Sequence, residues 1–212
     1  SAIASMLVFI GIVGPALLIP MYVQTGLGLS ALLSGLVILP GAVFNAFISV
    51  YTGKIFDKYG IKVLVIPGFT VLIIMTILHA FLTTETPFWY VVVIYAIRMI
   101  SVGLLIMPLN TVGLNALKPE EISHGTAIMN SLRIIAGAMG TAISITILSI
   151  VAKNYTATHN TMSKVKLARE STVQGVDAAF IFTTVLIVIG FILALFIKEN
   201  RNAKDTDSSS EK

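Results

Sequence analysis

Hydrophobic and polar positions divide this chain into six long apolar stretches separated by polar segments. Each stretch has the length, about 20 residues, that an α-helix needs to cross the ~30 Å hydrocarbon layer of a bilayer. Backbone polar groups in lipid must be satisfied internally, so helices are the expected structure. The pattern predicts an all-α membrane protein with six transmembrane helices, over residues 3–24, 30–51, 63–83, 88–113, 125–152 and 177–197.

The polar segments differ in length and composition. Residues 53–62 form a short charged turn between two spans, with three lysines, one aspartate and two glycines. Residues 153–176 are predicted to form a long loop, with a short interfacial helix over 161–174. The tail, residues 199–212, is charged and serine-rich, so we expect it to be disordered.

The composition excludes several classes of protein. Of 212 residues, 56% are hydrophobic and 11% are charged, whereas a soluble domain carries about 25% charged residues. The chain has no cysteine, which excludes disulfides and thiolate metal sites. The net charge of +4 is modest and the basic residues lie at span ends. That placement favours a role in membrane orientation over nucleic-acid binding.

The distribution of lysine and arginine predicts the orientation. One side of the membrane receives Lys54, Lys58, Lys62, Lys118, Lys198, Arg201, Lys204 and Lys212. The other side receives Lys153, Lys164, Lys166 and Arg169. By the positive-inside rule, the 53–62 segment and the tail are expected in the cytoplasm of a multi-pass cell-membrane protein.

Residues that could carry catalysis are missing from the spans. No Asp or Glu lies in the core of any span, and Asp177 lies at the mouth of the sixth. His79 is isolated and is expected at the membrane interface. Because neither a nucleophile with a base nor a set of about three metal ligands can be assembled, we expect no enzyme activity, no metal site and no cofactor.

Arg98 is the most informative single residue. It lies about ten residues into the fourth span, where a charge costs ~2.5–3.5 kcal/mol on insertion scales. Two readings stay open. The arginine either bonds backbone carbonyls freed by nearby prolines, or it faces a cavity and binds an anionic substrate or senses protonation.

Four further polar residues are candidates for a cavity or for coupling. Arg133 lies eight residues into the fifth span, where its long side chain could instead snorkel to the cytoplasmic face. The amides of Asn45, Asn110 and Asn130 could line a polar cavity or hold helices together.

The charged turn carries a family resemblance. Gly53, Asp57, Lys58, Gly60 and Lys62 match the pattern G-x-x-x-D-[RK]-x-G-x-[RK]. This resembles the signature loop of the major facilitator superfamily, which joins the second and third helices of each six-helix half. The resemblance implies that this segment is a conformational latch, in which Asp57 meets a helix N-terminus in the other half.

The resemblance extends over nearly the whole chain. Residues 125–133 with Gly137 and Gly140, Leu39-Pro40, and Arg98 with Gly103 and Pro108 resemble fourteen-helix drug:proton antiporters. The chain resembles the C-terminal half of such an exporter, which implies a six-helix half of a major facilitator bundle.

The resemblance implies proton-coupled export of drugs or other hydrophobic compounds by alternating access. The implied partners are the lipid bilayer, the missing N-terminal half, protons and small hydrophobic or cationic substrates. Two alternatives stay open: a major facilitator carrier for a specific anionic metabolite, and a truncated, transport-inactive membrane protein.

Overall fold

Six long helices make up this computed structural model, which describes residues 2–114, 122–159 and 162–196. Each is long and apolar enough to cross a membrane. They are α1 (Ala2–Met21), α2 (Ala31–Tyr59), α3 (Lys62–His79), α4 (Phe88–Leu114), α5 (Ile122–Thr158) and α6 (Lys164–Leu195). A π-helical turn, Tyr22–Gly26, continues α1. The part of the chain that the structure describes contains no strand, and the predicted all-α membrane bundle is confirmed.

The charged segment 53–62 is mostly helix and not a turn. α2 starts after Ser30, whose hydroxyl accepts the Leu33 N–H at 3.4 Å. It ends at Gly60, whose φ of +80° suits glycine, and whose N–H bonds the Phe56 carbonyl at 2.9 Å. Because α3 begins two residues later, the connection is reduced to Gly60 and Ile61.

The prediction of a long loop over residues 153–176 is wrong. α5 continues to Thr158, and α6 begins at Lys164, so the interfacial helix expected over 161–174 is largely the first part of α6 itself. Ser163 caps α6 by accepting the Lys166 N–H at 3.4 Å. Polar residues had marked the end of the apolar span, but polarity does not stop a helix that extends beyond the bilayer. Lys118 and the tail 199–212 lie outside the described residues.

α4 is the central helix of the bundle. In its most apolar window 61% of the residues are buried, compared with 17% in α2 and 28% in α5. α4 packs on α2 and α3, while α1 packs on α5 and α6. α2 and α5 therefore leave most of their apolar surface uncovered.

The bundle has two apolar cores. One lies towards the Gly60 turn, here called the Gly60 end, and includes Val65, Phe69, Leu105 and Leu109. The other lies towards the 80–87 turn, here called the Glu85 end, and includes Leu18, Tyr22, Val91 and Phe180. Polar side chains that are buried between these cores position the candidate site.

Candidate functional site

Arg98 lies on α4, at the level where one apolar core gives way to the other. Its side chain is 0% exposed. The guanidinium Nη2 donates to the backbone carbonyl of Gly11 on α1, and Nε donates to Thr76 Oγ1 on α3 at 3.4 Å. One side chain therefore ties three helices together.

Pro15 explains why the Gly11 carbonyl is available. In a regular helix that carbonyl would accept the N–H of residue 15, but proline has none. Arg98 supplies the missing donor. This contact matches the first interpretation of Arg98, in which the arginine bonds a backbone carbonyl that a nearby proline leaves free. Arg98 Nη1 has no hydrogen-bond partner within the described ranges. Its proposed role in substrate binding or protonation stays a prediction.

Sequence reasoning missed the neighbours of Arg98 on α3. Thr76 is fully buried, and its hydroxyl donates to the Leu72 carbonyl at 2.6 Å, so its oxygen can accept from Arg98. His79, expected at an interface, is also fully buried. Its Nδ1 bonds the Met75 carbonyl at 2.7 Å, and its ring packs against Tyr95 and Phe180. The residue types alone carried no signal for this placement.

Arg133, Asn110 and Asn130 are brought together at the Gly60 end. Arg133 Nη1 donates to Asn110 Oδ1 at 2.6 Å, and Nη2 donates to Asn130 Oδ1. The guanidinium carbon lies 5.7 Å from the centre of the Phe9 ring, within the range of a cation–π interaction. Arg133 therefore points towards α1 and α4 and is held there by neutral partners.

A crevice opens beside these residues, between α1, α4 and α5. Its free volume is about 10 Å³, close to what one water molecule needs. Its lining is largely apolar, and its polar side chains are Ser5, Asn110 and Arg133. The apolar lining residues are Val8, Phe9, Ile12, Ile106 and Leu109. Ser5 and Phe9 were not among the sequence candidates, because nothing in the sequence placed α1 beside α5.

Asn45 lies apart from that crevice, on the contact between α2 and α4. Its Nδ2 donates to the Met99 carbonyl at 2.8 Å. A side chain at Gly103 would clash with Ile48 and approach the Asn45 carbonyl to 3.3 Å. Asn45 therefore joins α2 to α4 by a hydrogen bond, and its role in lining a cavity stays a prediction.

The five residues of the signature pattern form one charged helix end and the turn that follows. Asp57 and Lys58 lie in the last turn of α2 and are exposed, while Gly60 makes the turn and Lys62 begins α3. Gly53 lies two helical turns before Gly60, on the side of α2 that faces α4. A Cβ added to Gly53 would come within 3.0 Å of Met107 Cε.

The donor set favours anions and neutral acceptors over metal ions. No group of three or more His, Cys, Asp or Glu side chains that could hold a metal occurs within 2–114, 122–159 or 162–196. The buried and half-buried groups are instead guanidinium and amide donors, which suit carboxylates, phosphates and carbonyl oxygens.

Comparison with known proteins places the chain in a family. Residues 1–141 match the model of the Major Facilitator Superfamily. The lincomycin resistance protein LmrB of Listeria monocytogenes is 38% identical over 191 residues, which cover 90% of this chain and 40% of that protein. LmrB of Bacillus subtilis is 40% identical over 187 residues, covering 88% of this chain and 39% of the relative.

A more distant relative has a related name. The multidrug export protein EmrB of Haemophilus influenzae is 28% identical over 140 residues, or 65% of this chain and 27% of EmrB. The chain thus spans about two fifths of the length of the LmrB relatives. Family membership indicates a transport protein rather than an enzyme. On the family match and the similarity to LmrB, this chain belongs to the major facilitator superfamily.

Proposed function

We propose that this chain is the C-terminal half of a proton-coupled exporter of drugs or other hydrophobic compounds in the cell membrane. The observation that carries the proposal is the 38–40% identity to proteins named for lincomycin resistance. The bundle fits this role because Arg98 joins α1, α3 and α4, so that these helices can move as one body. Rigid-body movement of one half against the other is the usual basis of alternating access.

The N-terminal half is the proposed partner of this bundle. The chain spans about two fifths of its LmrB relatives, and α2 and α5 are its least buried helices. We propose that parts of α2 and α5 face the first half, while the remaining apolar surface contacts lipid.

The charged end of α2 is the proposed latch between the halves, on the cytoplasmic side. The C-terminal turn of a helix disfavours an anion, by ~0.3–1 kcal/mol at an exposed site, yet Asp57 lies in the last turn of α2. A helix N-terminus in the first half offers free N–H groups and the positive end of a dipole. Asp57 would bond to it in one state of the transport cycle and release it in the other.

Drug tolerance of a sensitive bacterium tests the proposal. The full reading frame that contains this chain is expressed, and we expect a higher inhibitory concentration of lincomycin and lower accumulation of the drug. Dissipating the proton gradient with a protonophore should abolish efflux. Unchanged accumulation would refute drug export, and efflux that survives the protonophore would refute proton coupling.

Asp57→Asn tests the latch. The amide keeps the size of the side chain but removes the charge, so we expect efflux to slow by about tenfold, which corresponds to about 1.4 kcal/mol. The amount of transporter in the membrane should not change. Glu85→Gln, an equivalent substitution at an exposed residue of the 80–87 turn, is the matched control. Equal efflux rates for both variants would contradict the latch and leave the charged segment only a role in setting the orientation of the protein in the membrane.

A further inference from the structure

Arg133 has an incomplete set of partners. Two of its nitrogens donate to the neutral amide oxygens of Asn110 and Asn130. Its Nε is buried and has no hydrogen-bond partner in the described part of the chain, and the same is true of Ser5 Oγ in the same crevice. Unpaired buried donors cost about 1–3 kcal/mol each. A ligand with acceptor oxygens would satisfy both groups.

The charge of Arg133 is also unbalanced. The three helices that form the crevice, α1, α4 and α5, contain no Asp or Glu. The amides fix the direction of the guanidinium and leave its charge in place. A ligand that brings a negative charge would gain more here than a neutral acceptor.

The rest of the crevice is apolar. Val8, Phe9, Ile12, Ile106 and Leu109 line it beside the polar groups. An inorganic anion would leave these side chains without contacts, whereas an apolar body attached to the anion would cover them. The free volume of about 10 Å³ is far below the ~300–1,000 Å³ of a typical drug site. The crevice therefore admits the anionic group of a ligand, and the apolar body would lie along its mouth.

We propose that the crevice beside Arg133 binds an amphipathic anion, with its carboxylate or phosphate at Arg133 and Ser5 and its apolar body against Phe9 and Ile106. The ligand would be a soluble organic acid or the headgroup of an anionic lipid, since both carry this chemistry. If the bound anion is a transported substrate, the proposal rests on the proposed export function and narrows the class of exported compounds to acids. As a binding site, it does not depend on that function.

Binding to the full-length transporter in nanodiscs of phosphatidylcholine tests the site without a proton gradient. The probes are 2-naphthoate and its uncharged analogue 2-naphthamide, measured by titration calorimetry. We expect the carboxylate to bind at least tenfold more tightly than the amide. Equal affinities would overturn the proposal, and this comparison needs no variant to fold.

Substitution of Arg133 locates the site. Arg133→Gln should weaken naphthoate binding by at least tenfold, while Arg133→Lys, which keeps the charge, should lose less than about threefold. Lys54→Gln removes an equivalent charge at an exposed position of α2 and should leave the affinity unchanged. An Arg133→Gln variant that binds naphthoate as tightly as the wild type would contradict the proposal.

Nanodiscs that contain phosphatidylglycerol separate the two sources of ligand. If the lipid occupies the crevice, the difference in naphthoate affinity between wild type and Arg133→Gln should shrink severalfold. If soluble acids are preferred, the difference should persist. If the wild-type protein exports no drug from cells but binds naphthoate in nanodiscs, the export function is refuted and the binding site is supported.

Discussion

Arg98 and Arg133 are both arginines in apolar helices and both donate hydrogen bonds to neutral partners, but their surroundings differ. Arg98 is fully buried and bonds a backbone carbonyl and a threonine hydroxyl on two other helices. Arg133 is partly exposed, bonds two amide oxygens and borders a crevice. The first is enclosed by protein and the second is open to a ligand.

This difference separates a structural from a binding role more clearly than the type of residue does. A charge that is enclosed on every side can bind nothing new without opening the bundle, so we expect Arg98 to hold helices together. A charge at the edge of a crevice keeps the capacity to bind an anion. Three predictions test this separation, in order of decreasing effect.

The largest effect is expected from Arg98→Gln. The shorter neutral side chain cannot reach both Gly11 and Thr76, and a charged hydrogen bond contributes about 1.5–3 kcal/mol. We expect the transporter in nanodiscs to melt at least ~5 °C lower and to be less abundant in the membrane. Lys54→Gln, at an exposed position, should melt like the wild type. If Arg98→Gln melts normally but loses transport, the cavity-facing role is the correct one.

Pro15→Ala sharpens the explanation for the position of Arg98. Alanine restores the N–H that the Gly11 carbonyl lacks, so this carbonyl no longer depends on Arg98. We expect Arg98→Gln to cost about 1 kcal/mol less in the Pro15→Ala background than in the wild type, as measured by a double-mutant cycle. Additive costs would show that the proline and the arginine act independently.

The smallest effect is expected from Gly137→Ala, beside the crevice. An added Cβ would come within 3.0 Å of Phe9 Cδ1 and 3.2 Å of Val13 Cγ2, so the Phe9 ring must shift. We expect naphthoate to bind about two- to threefold more weakly, with a small change in melting temperature. Gly35→Ala, where nothing lies within 4 Å of the new Cβ, is the control. Equal affinity in both variants would exclude Phe9 from the binding surface.

The sequence predicted the helices well and their polar ends poorly. Hydropathy defines where a helix lies in lipid, and the six spans follow from it. Helix ends depend instead on caps such as Ser30, Ser163 and Gly60, which is why α2 extends to Tyr59 and α6 begins at Lys164. Helices that extend into water do not need apolar residues there.

The candidate site was predictable in part. Arg98 was singled out by its charge, and carbonyls freed by nearby prolines were one of its two expected kinds of partner. What the sequence could not supply was which helices touch. Thr76 and Phe9 become partners of the two arginines because α3 packs on α4 and α1 packs on α5, and that arrangement depends on tertiary packing.

The most direct test of the separation measures melting temperature and naphthoate affinity on the same nanodisc samples of wild type, Arg98→Gln and Arg133→Gln. The account predicts opposite losses: Arg98→Gln melts at least ~5 °C lower but, well below its melting temperature, binds naphthoate like the wild type. Arg133→Gln melts normally and binds at least tenfold more weakly. The reverse pattern, with Arg98→Gln losing affinity and Arg133→Gln losing stability, would contradict it.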